Sequence, residues 1–143
     1  MFESLLVAVD GSDESRAAAE SAIELAEKFD GVVHGIYVRE LHPTYTKKGA
    51  SILAEDAAQD EEIEYALGVL DEIGTIADNV GVEFQSEVKS GVPAFVLTDA
   101  AQQQDVDAIV AGIRGRTGLR DRIVGSTTER ILRESPVSVI AIR

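Results

Sequence analysis

The amino-acid sequence predicts a doubly wound α/β fold built on a parallel sheet, and three of its features carry that expectation. Short apolar runs alternate with amphipathic stretches along the 143 residues, giving five strands and four helices. Each interval between strands is long enough for a helix, so the strands run parallel, with right-handed crossovers and both faces of the sheet covered. No linker, low-complexity tract or internal repeat breaks the alternation. A single domain spanning 1–143 is therefore expected, large enough to bury roughly 70% of its unfolded surface without staples.

The elements follow in order. Ser4 to Val9 is an apolar run ended by Asp10-Gly11-Ser12, a turn cluster that also offers N-cap oxygens. From Asp13 to Phe29 the residues Ala17, Ala18, Ile23, Leu25, Ala26 and Phe29 recur near helical spacing, and Asp30-Gly31 stops the helix. Val32 to Val38 is the second strand, and Arg39 to Leu53, with no clean period, reads as a loop. Glu55 to Val80 is a long helix with Ile63, Ala66, Leu67, Leu70, Ile73 and Ala77 on one stripe. Val82 to Val88 alternates as the third strand, and Gly91-Val92-Pro93 opens a helix to Gln103. Val106 to Ala111, Ser126 to Glu134 and Val137 to Ile142 complete the chain as strand, helix and strand.

Composition excludes several functions. Cysteine is absent, which removes thiol catalysis, disulfides and thiolate metal sites and fits a reducing compartment. The start has no basic segment before its apolar stretch, and no run approaches the roughly 18 apolar residues of a membrane span, so a cytoplasmic protein is expected. A net charge of −13 opposes nucleic-acid binding, which depends on neutralising phosphates. Only four lysines stand against 26 acidic residues, a skew associated with salt-rich cytoplasm. His34 and His42 are isolated and make no metal site, and Asp60, Glu61, Glu62 and Glu64 read as a solvated helix face.

One segment gathers positive charge. After the fourth strand, Gly112, Gly115 and Gly125 are spaced G-x2-G-x9-G with Ser126 following, and the last helix opens there. Arg114, Arg116, Arg120 and Arg122 with Asp121 give this loop a charge of +3, which leaves −16 on the rest of a chain of −13. Glycine allows close approach of backbone to a ligand, and a helix start offers unpaired N–H groups and the positive end of its dipole. An anion is the expected occupant. The loop is not a Walker P-loop, for it contains no lysine, nor a dinucleotide fingerprint, which follows the first strand of such a domain.

With the motif completed as Gly112, Gly115, Gly125 and Ser126, the chain resembles the ATP-binding, UspA-like branch of the universal stress protein family. VAVDGS at the first strand, VVHGIYV at the second, GVPA at the third helix and PVSVIAIR at the end extend the resemblance over nearly the whole length. It implies an adenine nucleotide α-hydrolase-like sheet of order 3-2-1-4-5, with ligand bound at the switch point between the first and fourth strands. It further implies Asp10 beside the adenosine, the backbone at Val38 recognising adenine, and Gly112, Gly115, Gly125, Ser126 and Thr127 cradling phosphates. The alternative for Asp10 is a helix N-cap, a role that Ser12 or Asp13 could fill instead. Arg114 stands where many relatives carry histidine or serine, and Arg116 is better placed to reach a terminal phosphate. The resemblance implies ATP, or ADP or AMP, with Mg2+, a homodimer through the last strand, and an unidentified protein partner. A regulatory binding module is thus expected. The alternative is a slow ATPase or self-phosphorylating protein with Ser126 or Thr127 as acceptor.

Overall fold

The structure, a computed structural model, describes residues 1–40, 51–113 and 125–143, with side chains from residue 59 onward in the second segment. Its elements are β1 (Ser4–Ala8), α1 (Asp13–Phe29), β2 (Val32–Glu40), α2 (Ser51–Asn79), β3 (Glu83–Gly91), α3 (Pro93–Gln103), β4 (Ala108–Gly112), α4 (Ser126–Glu134) and β5 (Ser138–Ile142). The five strands are all parallel, in the order β3-β2-β1-β4-β5. The strand order therefore reverses between β1 and β4, where the connections leave in opposite directions.

Strand alternation sends side chains to two separate cores. Leu5, Val7, Val33, Tyr37 and Val110 meet Ala18, Ala22 and Ala26 of α1 and Ala66, Leu70 and Ile73 of α2 on one face. Leu6, Ile36 and Ile109 meet Ala94, Leu97 and Ala101 of α3 and Ile131 of α4 on the other. The small residues of α1 let this helix lie close over the two central strands. Asp107 sets the β1–β4 register: its Oδ2 accepts the N–H groups of Glu3 and Ser4 at 2.9 and 3.0 Å, and its own N–H donates to the Ser4 carbonyl at 2.7 Å.

Several boundaries move from the expected ones. β2 continues through Arg39 and Glu40 because β3 runs alongside, pairing Arg39 with Ser90 and Glu40 with Gly91. These two residues were expected in a loop. α2 already begins at Ser51, so of the expected loop only 41–50 lies outside the described residues. At the end of α1 it is Asp30, not Gly31, that turns left-handed, at φ 53°, while the Gly31 N–H donates to the Ala26 carbonyl at 2.8 Å. Ala19 and Ala22, absent from the expected stripe, are buried, whereas Phe29 and Leu67 are exposed.

Candidate functional site

A cavity of about 400 Å³ opens at the carboxyl ends of β1, β2 and β4. Its position is the one doubly wound sheets provide, the crevice where strand order reverses. Ala8, Val9, Ile36, Val38 and Leu97 give it an apolar wall, and Gly125 to Thr128 bring the start of α4 to one side. The volume lies within the roughly 300–1,000 Å³ of small-ligand sites.

The β1–α1 turn is built by three short side chains. Asp10 Oδ1 accepts the Ser12 N–H at 2.8 Å and the Ser12 hydroxyl at 2.5 Å, which closes the turn around Gly11 at φ 84°. Ser12 Oγ in turn accepts the Ser15 N–H at 3.1 Å, so Ser12 is the N-cap of α1 and Asp10 is not. Ser15 Oγ accepts the Asp10 N–H at 3.2 Å and donates to the Ser12 carbonyl at 3.2 Å. The positive φ of Gly11 disfavours any side chain, and a Cβ there would also displace the Tyr65 hydroxyl. Tyr65 meets Tyr37 edge to face at 6.2 Å, which braces α2 against β2 beside the cavity.

At the α4 side, hydrogen bonds close the base of the glycine loop. Ile113 donates its N–H to the Ile142 carbonyl and accepts from the Gly125 N–H, both at 2.8 Å. Thr128, nearly buried, donates its hydroxyl to the Gly112 carbonyl at 2.8 Å. The Gly125 N–H is thereby committed, and the first turn of α4, whose N–H groups have no partner within the helix, lies at the cavity. Gly125 occupies the cap position and has no side chain to accept them, so among the described residues no side chain caps that turn. Its φ of −67° and ψ of 158° are open to any residue, so space rather than conformation is what glycine supplies there. Gly112 is required by packing: a Cβ would come within 2.7 Å of the Glu14 carbonyl at the start of α1.

The structure brings Asp10, Val38, Gly112, Gly125, Ser126 and Thr127 together around this one cavity. Arg114, Gly115 and Arg116 lie outside the described residues, as do Arg120, Asp121 and Arg122. Sequence reasoning missed Tyr37, Thr128 and Glu62, which also line the cavity. Tyr37 and Thr128 are unremarkable strand and helix residues in sequence. Glu62 was read as part of a solvated face, yet among its acidic neighbours it is the one half-buried, paired with Arg39 at 3.4 Å. Among the described residues no three metal-ligating side chains converge, and no helix is long and apolar enough to cross a membrane. His34 sits in mid-β2, its imidazole held below the ordinary 6.5 by burial, with Glu83 opposing the shift.

A parallel sheet wound in this order, with a ligand-sized crevice at its switch point, defines a class of small α/β proteins. Within that class the chain belongs to the universal stress protein family, whose model matches residues 1–143. A universal stress protein of Methanocaldococcus jannaschii is 30% identical over 145 residues, covering 100% of this chain and 83% of that protein. Universal stress protein YxiE of Bacillus subtilis is 30% identical over 148 residues and is covered, like this chain, over 100% of its length. Among solved structures, universal stress protein UspA from Lactobacillus plantarum superposes with a TM-score of 0.90 at 26% identity, over 99% of this chain and 98% of that one. The universal stress protein from Archaeoglobus fulgidus in complex with dAMP superposes with a TM-score of 0.72 at 25% identity, over 100% of both chains.

Proposed function

We propose that this protein is a cytoplasmic, single-domain regulatory module that binds an adenine nucleotide, ATP ahead of ADP or AMP, and signals its occupancy through partner binding. The observation that carries this reading is the make-up of the cavity, an apolar wall along β1 and β2 with, at its other side, a helix start that no described side chain caps. An apolar wall suits a base, and a helix N-terminus suits phosphate. The dAMP complex of the Archaeoglobus fulgidus relative supports the ligand class.

In this proposal the main chain at Val38 meets the adenine edge and Asp10 accepts from the adenosine. The N–H groups and hydroxyls of Ser126 and Thr127 receive the phosphates, with Gly112 and Gly125 keeping the approach clear. Arg114, Gly115 and Arg116 lie outside the described residues and are assigned to the phosphate end from the sequence motif, a guanidinium being suited to pair with phosphate. Mg2+ enters as the nucleotide's own counter-ion.

Calorimetric titration with ATP tests the reading. Gly125→Val places a branched side chain where phosphate must approach, and binding should fall at least about tenfold while the helical circular-dichroism signal stays. Unchanged affinity in this variant would exclude the phosphate assignment. A second reading draws on the Ser126 and Thr127 hydroxyls at the cavity, either of which is placed as an acceptor for slow self-phosphorylation. Incubation with γ-labelled ATP separates the two: label retained on the chain or steady phosphate release supports turnover, and neither is expected.

A further inference from the structure

Glu62 has no part in the roles assigned so far. It projects from α2 one turn before Tyr65 and lines the cavity together with Glu40, Tyr37 and Val38 of β2. Arg39 holds it in place: the Arg39 Nε donates to Glu62 Oε2 at 3.4 Å, and Arg39 Nη1 donates to Ser90 Oγ at 3.2 Å. Three elements thus converge on one carboxylate, with α2 carrying it, β2 orienting it and the end of β3 anchoring the orienting group. The Arg39 side chain is 12% exposed and that of Glu62 37%, so the pair is sheltered while the carboxylate still reaches the cavity.

An ionised carboxylate only accepts hydrogen bonds, and it repels phosphate. It therefore belongs with the uncharged end of a nucleotide. With the adenine edge met by main chain and the phosphates by α4, the donors left to an adenosine ligand are its two ribose hydroxyls. Asp10 approaches from the end of β1 and Glu62 from α2. We propose that Glu62 is a specificity-determining residue that accepts a ribose hydroxyl, with Arg39 as its positioning residue, and that it selects ribonucleotides over deoxyribonucleotides. This rests on the nucleotide reading of the cavity. The energetic basis is a charge-assisted hydrogen bond: Glu62 stays paired with Arg39 in either complex, and an analogue without the hydroxyl forgoes the added bond to the carboxylate.

Calorimetry on the full chain with ATP, 2′-deoxy-ATP and 3′-deoxy-ATP provides the test. In the unmutated protein ATP should bind about tenfold or more tighter than at least one deoxy analogue, the scale of a hydrogen bond to a charged group. Glu62→Ala should weaken ATP by that factor, leave that analogue nearly unchanged and bring their ratio to about one. Should the alanine variant fail to fold, Glu62→Gln, which keeps the shape without the charge, should lose most of the discrimination. Arg39→Gln should lower the ratio in part and Arg39→Lys restore it. A ratio that is the same in the unmutated protein and the Glu62 variant overturns the assignment. ATP and both analogues binding with equal affinity to the unmutated protein also overturns it and leaves the nucleotide reading standing. Absence of binding by all three overturns both.

Discussion

Asp10 illustrates how one side chain serves two masters at the residue scale. Its Oδ1 closes the turn before α1 by accepting from Ser12 twice, and the residue also lines the cavity. Asp10→Ala should weaken ATP while hardly affecting inorganic triphosphate, and should also cost about 1 kcal/mol of stability through the lost turn bonds. Asp10→Asn, which keeps an amide oxygen for the turn, should recover the stability without recovering ATP affinity. Equal loss of ATP and triphosphate in the alanine variant would make the residue a turn former alone. His34 gives a pH dependence. Burial lowers its folded pKa below the unfolded value near 6.5, so between the two the unfolded chain binds the proton and the folded one does not. Stability is then full above about 6.5 and is lost as pH falls through the folded pKa. The melting temperature should drop between pH 7.5 and 5.5, and His34→Gln should reduce that drop; an identical pH profile in the variant would remove His34 as the cause.

Among the elements, the link between β4 and α4 decides whether the glycine loop has a fixed base. Thr128 ties the helix to the Gly112 carbonyl through a nearly buried hydroxyl. Thr128→Val keeps the shape and removes the donor, and urea unfolding should report about 1–3 kcal/mol less stability at unchanged m-value. A midpoint shift of nothing measurable would mean the bond is replaced by water. Much at this scale was legible in the sequence. α1 and α4 begin and end at the predicted residues, because Ser12 and Gly125 mark their starts and the apolar spacing is local. The extension of β2 through Arg39 and Glu40 was not, for it depends on pairing with Ser90 and Gly91 far along the chain. Glu62 escaped for the same reason: nothing in a run of acids says which one finds an arginine 23 residues away. The strand order, likewise, came from family resemblance and not from periodicity, which fixes elements without arranging them.

On the scale of the whole molecule, charge and the open sheet edge govern behaviour in solution. Outside the arginine loop the chain stands at −16 against a total of −13, and its described ion pairs are mostly exposed and individually weak. Melting temperature should therefore climb with KCl well past about 1 M, where the Debye length is roughly 3 Å; a flat curve would mean the acidity is incidental. The edge is β5, which pairs only with β4 among the described strands. The Ile142 carbonyl accepts from Ile113 on that inner side, so by strand alternation Ile140 and Ser138 also turn their polar groups inward, while Val139 and Ala141 turn theirs outward. Nothing on this strand blunts the edge, for Ser138-Val-Ile-Ala-Ile has neither charge nor proline. A second copy related by a two-fold axis would pair β5 with β5 antiparallel and close the edge in an isologous interface that cannot grow into fibres. Beside the strand, a groove of about 250 Å³ floored by Leu25, Ile140 and Ile142 offers apolar surface for the partner to cover. Val139→Pro is the selective probe, since it removes an outward donor and leaves the bonds to β4 in place. Ile140→Lys charges the groove instead. The unmutated chain should scatter light as a dimer in high salt and each variant as a folded monomer. A monomeric mass for the unmutated chain at micromolar concentration would leave the edge without this partner.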